Sequence, residues 1–209
     1  ELDIIYLKIK YMPMKVSNLQ KVTILKAVNC SLEAVNYWPP NLVKIDLCNN
    51  FLDESSINIE KMPMSTRIID ISYNQFGEFK DWPDFLVSIN LSGRDNLTPS
   101  NVDAADDPTV VLPTNCEELI MTDCNLDDET IKYGVIKFNY ALTTLNLSDN
   151  MFENVLLYIP QDCVDNLKEL YLDDNRISYV DLSHWSNLET VSLKNNMLDE
   201  NSLFASSIL

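Results

Sequence analysis

The sequence predicts an α/β solenoid of about eight or nine coils. Its sheet is parallel and concave, and its convex side is irregular or built of short helices. Three observations predict it. A short apolar pattern returns at nearly fixed spacing along the whole chain. Within each copy, apolar and polar residues alternate with the period of a strand. Between copies, proline and capping residues interrupt any long helix.

The pattern is L-x-x-L-x-L-x-x-N-x-L. It reads "LVKIDLCNNFL" from Leu42, "TRIIDISYNQF" from Thr66, "CEELIMTDCNL" from Cys116 and "LTTLNLSDNMF" from Leu142. It reads again as "LKELYLDDNRI" from Leu167 and "LETVSLKNNML" from Leu188. Weaker copies are "VTILKAVNCSL" from Val22 and "LVSINLSGRDN" from Leu86, and a degenerate one is expected from Ile4. Most steps between starts run from 20 to 26 residues, with one step of 30. In "LTTLNLS", Leu145 and Leu147 should point inward, and Thr144, Asn146 and Ser148 outward. The asparagine position, filled by Asn50, Asn74, Asn150, Asn175 and Asn196, should be buried, its amide bonding turn backbone. Cys30 and Cys124 take that position in two copies, as small thiols with a weak donor.

These residues resemble the leucine-rich-repeat family over nearly the whole chain. The resemblance implies a right-handed solenoid forming one domain over 1–209. It implies a non-catalytic fold that binds partners on its concave sheet, and it names function poorly, since the family hosts many roles.

The return paths differ from copy to copy. "WPPNL" (38–42), "WPDFL" (82–86), "LPTNCEEL" (112–119) and "IPQDCVDNL" (159–167) put proline shortly before a strand. "LDESSI" (52–57), "LDDETI" (126–131) and "LDENSL" (198–203) read as helix starts. The best helix is expected over 127–138, with Ile131, Val135 and Phe138 on one face. Trp38, Trp82 and Trp185 precede strands at similar offsets and should pack the convex side. The step of 30 contains "GRDNLTPSNVDAADDPTVVLP", read as a long repeat or an inserted loop at 93–113.

Composition limits function. The chain has 209 residues, 46% hydrophobic, and a formal charge of −17. That charge disfavours nucleic acid, which is bound through neutralised phosphates. Residues 1–26 carry five lysines against two acids, a net of +3, which leaves −20 for the remainder. No apolar run reaches the length of a membrane span. The chain begins without Met and stops about half a repeat after Asn196, so a longer parent is expected.

Five cysteines without a clustered cap favour a reducing, intracellular compartment, with an extracellular one as the alternative. Four sequons, at Asn29, Asn90, Asn96 and Asn146, are the candidate glycan acceptors, although two are the "NLS" that the repeat itself writes. No cofactor or metal site is expected. His184 is the only histidine, no C-x-x-C pair exists, and Asp103, Asp106 and Asp107 lack the spacing of a calcium loop.

What remains is the open sheet face. Its outward positions should include Tyr6, Lys8 and Lys10, then Ile24, Lys26 and Val28, then Lys44, Asp46 and Cys48, continuing copy by copy to Lys194. The candidate partner-binding residues are Lys8, Lys26, Lys44, Asp46, Asp70, Glu118, Glu169, Tyr171, Asp173 and Lys194. They suit a protein or peptide ligand. The expected function is a non-enzymatic interaction module. The alternatives are the ligand-binding ectodomain of a cell-surface receptor or receptor kinase, and repeats that position substrate for a catalytic domain elsewhere in the parent.

Overall fold

The computed structural model describes residues 1–93, 110–200 and 202–204. The loop expected at 93–113 therefore lies mostly outside the described residues, as do Asn96 and the acidic stretch 103–107.

Strands β1 (Leu2–Asp3), β2 (Ile24–Lys26), β3 (Lys44–Asp46), β4 (Ile68–Asp70) and β5 (Ser88–Asn90) begin one sheet. A second short strand, β6 (Val110–Val111), lies apart from it. Strands β7 (Glu118–Ile120), β9 (Thr144–Asn146), β10 (Glu169–Tyr171) and β12 (Thr190–Ser192) complete the sheet. Its order is β1-β2-β3-β4-β5-β7-β9-β10-β12, nine strands, and every pair is parallel. Sequence order equals spatial order, which is what stacked coils require.

The alternation explains each strand. Leu25 and Ala27, Ile45 and Leu47, Ile69 and Ile71, Ile89 and Leu91 point inward and are at most 1% exposed. Leu119, Met121, Leu145, Leu147, Leu170 and Leu172 continue the same two columns. Strands of three residues are too short to be stable alone, so burial of these columns holds the stack.

The asparagine position closes each turn. In Asn50, Oδ1 accepts from the backbone N–H of Cys30 and Leu32, both 3.0 Å, in the preceding coil. Its Nδ2 donates to the carbonyls of Ala27, Leu47 and Cys48. Asn150 repeats this set with Cys124, Leu126, Met121, Leu147 and Ser148. Where cysteine stands instead, the thiol donates to carbonyls: Cys30 Sγ to Ile4 O and Val28 O, Cys124 Sγ to Leu91 O and Thr122 O.

One residue before that position, the backbone is left-handed in every coil: Tyr6, Asn29, Asn49, Tyr73, Gly93, Asp123, Asp149, Asp174 and Asn195. Asparagine, aspartate and glycine are the residues that tolerate it. Tyr6 and Tyr73 are the two exceptions, and Tyr73 constrains its neighbour. Its ring lies over Gly93, where an added Cβ would sit 2.2 Å from Tyr73 Cδ1. Its hydroxyl reaches Asp123 Oδ2 at 3.4 Å.

The first coil departs from expectation. Its strand is Leu2–Asp3, paired with Leu25 and Lys26, and does not run through Tyr6, Lys8 and Lys10. Leu2 and Ile4 take the inward columns, and Ile9 N donates to Cys30 O in the turn beyond. The alternation in "LKIK" imitates a strand, but hydrogen bonding aligns it with the turn segment of the next coil. Lys8 is therefore exposed at that turn, and Lys10 pairs with Glu33 at 2.6 Å.

On the convex side, the described helices are short: α1 (Asp128–Lys132) and α2 (Gln161–Val164), with 3₁₀ turns at Met14–Asn18, Ile59–Lys61 and Val155–Leu157. Helix α1 has the expected start, a reciprocal cap between Asp127 and Thr130. It stops seven residues before Asn139, because Gly134 turns left-handed and Ile136–Lys137 forms β8, paired with β6. The helix predicted to residue 138 is thus a helix followed by a strand. "LDESSI" forms turns, not a helix; its Asp53 Oδ1 accepts from Ser55 N. "LDENSL" ends in β13 (Leu203–Phe204), paired with β11 (Val180–Asp181). Trp38, Trp82 and Trp185 are buried there, and Phe79 stacks on Trp82 at 4.5 Å.

All five cysteines are free thiols, and only Cys48 is partly exposed. Burial pushes Cys116 up to about 12 and Cys163 up to about 11. A disulfide-exchange reagent at pH 8 should therefore titrate about one thiol in the native protein, at Cys48, and the remainder only after unfolding. Rapid reaction of three or more thiols under native conditions would contradict the burial described.

Candidate partner-binding face

The open face is three rows wide, because each strand turns alternate side chains outward. The central row reads Lys26, Asp46, Asp70, Asn90, Ile120, Asn146, Tyr171 and Ser192, fixed by the strand register. The row on the N-terminal side of each strand includes Lys44, Ile68, Ser88, Glu118, Thr144 and Glu169 in the same register. The third row is mostly small and polar: Cys48, Ser72, Ser92, Thr122 and Ser148.

The sheet gathers nine of the ten candidate residues and leaves out Lys8. At its N-terminal end, Lys26 Nζ lies 2.7 Å from Glu1 Oε1. That bond raises the lysine pKa and lowers the glutamate's. The Lys26 charge still acts on Asp46, its register partner, and the two groups favour each other's charged forms. Asp46 and Asp70 face each other on adjacent strands. Burial pushes the Asp46 carboxyl up, opposed by the Cys48 N–H, and the Asp70 charge pushes it further. Asp70 is tied to Ser72 through Oδ1 and to Asn90 Nδ2, at 2.9 Å, through Oδ2.

Toward the other end, Ser88 Oγ donates to Glu118 Oε2. Tyr171 Oη donates to Glu169 Oε2 at 3.1 Å. That bond is the main cause of a raised phenol pKa, to which burial and the charges of Glu169 and Glu118 add. Asp173 accepts from Lys194 N at 2.8 Å and lies 3.8 Å from Lys194 Nζ. Lys44 is half-buried beside Ile68.

Selection by charge passed over Ile24, Ile68 and Ile120, the half-buried apolar members of the face. Their outward motif position was the signal that finds them. It also gave no hint of Glu1, which lies outside the motif yet binds Lys26.

The sequons are not equivalent. Asn90 and Asn146 are half-buried on this face, and each uses Oδ1 to hold a serine N–H, of Ser92 and Ser148. Asn29 is exposed on the turn beside the sheet.

The convex side carries a separate hollow of about 280 Å³, lined by residues that include Leu156, Ile159, Asp181, His184 and Trp185. Among the described residues, no group of three His, Cys, Asp or Glu is placed to hold a metal ion. No helix among them is long and apolar enough to cross a membrane.

Comparison with known proteins supports the same architecture. Residues 166–188 match the family model described as Leucine Rich Repeat. A Dictyostelium discoideum protein, "MAP kinase phosphatase with leucine-rich repeats protein 1", is 35% identical over 92 residues. That match covers 43% of this chain, which spans only 11% of that protein's length. Among solved structures, a chain of the octameric complex of Latrophilin 3, Unc5D and FLRT2 (LRR) is similar at TM-score 0.52 and 12% identity. The similarity covers 88% of this chain and 71% of that one. Internalin C2 of Listeria monocytogenes is 17% identical at TM-score 0.47, over 85% and 83% of the two chains. At 12% identity, the likeness to the chain of the FLRT2 complex is one of fold.

Proposed function

We propose that this chain, which belongs to the leucine-rich-repeat family, is a non-catalytic module that binds a protein or peptide partner across its concave sheet. The fold itself is a protein-interaction scaffold and generally non-catalytic. The observation that carries the finer reading is the row structure of the face. Nine parallel strands present a continuous surface on which apolar Ile68, Ile120 and Tyr171 alternate with charged Lys44, Asp46, Asp70, Glu118 and Glu169. Mixed aromatic, aliphatic and charged groups at fixed spacing suit a protein surface, and curved solenoids bind on such faces. The net charge of −17 disfavours nucleic acid.

A wedge tests it. Thr144 points outward from β9, inside the sheet, and is not part of the core. Thr144→Trp should abolish capture of the partner that the wild-type chain retains. Tyr171→Ala should weaken it more than about fivefold, as expected of an aromatic anchor. Leu157→Ser, on the convex side, should leave it unchanged. Capture that survives Thr144→Trp would exclude the concave face.

A second reading rests on the Dictyostelium relative. There, by its name, such repeats belong to a MAP kinase phosphatase. In that case the chain would be the substrate-positioning arm of a larger enzyme, with the same face in use. Phosphatase assays of the full-length parent, with and without Thr144→Trp, separate the two.

A further inference from the structure

The concave face has one place where carboxylates gather around an aromatic ring with no cation to match them. Glu118, Thr144 and Glu169 stand side by side in register on β7, β9 and β10. Two strand spacings, about 10 Å, separate the two glutamate backbones. Tyr171, on the strand of Glu169, leans back along it, so that its hydroxyl donates to Glu169 Oε2 at 3.1 Å. The same hydroxyl feels the Glu118 charge across the intervening strand. Ser88 Oγ and Tyr171 Oη each satisfy one carboxylate oxygen, Oε2 in both glutamates. Among the described residues, no lysine, arginine or histidine is within ion-pair distance of either glutamate. The concave lysines are engaged elsewhere or distant: Lys26 with Glu1, Lys194 with Asp173, and Lys44 three strand steps from Glu118 along the sheet.

We propose that Glu118, Tyr171 and Glu169 seat an arginine side chain of a basic partner peptide lying across the strands. The inference rests on the concave-face reading above and names its occupant. Charge complementarity carries it. Two carboxylates keep an oxygen each for a donor, and the Tyr171 ring supplies a face on which a guanidinium stacks. Thr144, short and polar, is the residue that stands between the two glutamates in the register. A guanidinium offers five donors in a planar fork, so it can bond a carboxylate while lying flat on a ring. A lysine ammonium, more strongly hydrated and without a plane, fits less well. The long-range field favours the same partner. Residues beyond 26 carry a net of −20, which speeds the approach of a basic chain and rejects an acidic one.

The test uses a labelled hexa-arginine peptide and the chain as described. Wild type should bind it saturably with one site, and binding should weaken as salt rises. E118Q/E169Q and Tyr171→Ala should each weaken it at least fivefold. Tyr171→Phe, which keeps the ring, should stay within about threefold. E153Q/D162N removes two exposed acids away from the concave sheet and should change binding less than twofold. A hexa-lysine peptide should bind more weakly than hexa-arginine. In the unmutated protein, amide shifts on peptide addition should centre on Glu118, Thr144, Glu169 and Tyr171, a readout that does not depend on any variant folding. The proposal is overturned by an absence of saturable binding, by shifts centred elsewhere, or by equal losses in E153Q/D162N and E118Q/E169Q. It is also overturned if sedimentation shows the site filled by the lysine-rich N-terminal coil of a second copy. If the peptide fails while Thr144→Trp still abolishes partner capture, only the cationic occupant falls. If Thr144→Trp spares capture, the face itself is wrong.

Discussion

Leu145→Ala is expected to lower the unfolding free energy by about 2–5 kcal/mol, measured by urea denaturation. Leu145 is wholly buried in the inward column, between Leu119 and Leu170 on the neighbouring strands. Removing its branch loses the transfer free energy of three carbons and leaves a cavity. Strands on both sides hold that cavity open, because their hydrogen bonds fix the coil spacing near 4.8 Å. Thr144→Ala, one residue earlier and facing outward, should cost less than about 0.5 kcal/mol. If Thr144 proved the costlier of the two, the strand would be in the opposite register and every assignment on the concave face would move to the core.

That register was legible in the sequence because it is written in apolar alternation, repeated with asparagine at a constant offset. Burial enforces it, and a one-residue slip would put Leu145 and Leu147 in water. The first coil shows where such reading fails. "LKIK" alternates as a strand does, yet Leu2 and Ile4, closer to the chain start, satisfy the inward columns and displace it into the turn. Periodicity alone does not distinguish a strand from an extended turn segment that pairs with the next coil. The convex side was less legible for a related reason. Its segments share no repeated motif, so a local choice decides each one: the Asp127–Thr130 cap starts a helix and Gly134 ends it two residues after Lys132. On the open sheet face, the positions could be read but not their pairings. Lys26 bonds a residue 25 positions away that carries no motif, and the lean of Tyr171 toward Glu169 is set by side-chain rotamers.

The asparagine column should prove as costly to disturb as the leucine columns, and with a different signature. Asn50 is 5% exposed and makes five hydrogen bonds to backbone, two as acceptor and three as donor. Asn50→Ala leaves the Cys30 and Leu32 N–H groups and the Ala27 carbonyl without these partners, while the Leu47 carbonyl keeps the bond from Asn74 Nδ2. At about 1–3 kcal/mol for each buried group left unsatisfied, with partial relaxation, the expected loss is about 3–5 kcal/mol. Asn50→Asp separates the donor from the acceptor role. The carboxyl keeps the two bonds from N–H groups, but when ionised it turns a charge toward three carbonyl oxygens. Burial and those oxygens should raise its folded-state pKa above the unfolded value of about 3.9. Below that unfolded value the acid is protonated in both states and its O–H can donate, so the variant should lie nearest wild type. As pH rises from about 4 toward the folded-state pKa, the unfolded chain releases the proton first, and stability is lost over that interval. The gap in unfolding free energy between wild type and Asn50→Asp should therefore widen from pH 4 to pH 7, while the gap for Asn50→Ala stays flat. A gap for Asn50→Asp that did not change with pH would mean that the amide nitrogen is not what binds the carbonyls, and that the turn is held by packing alone.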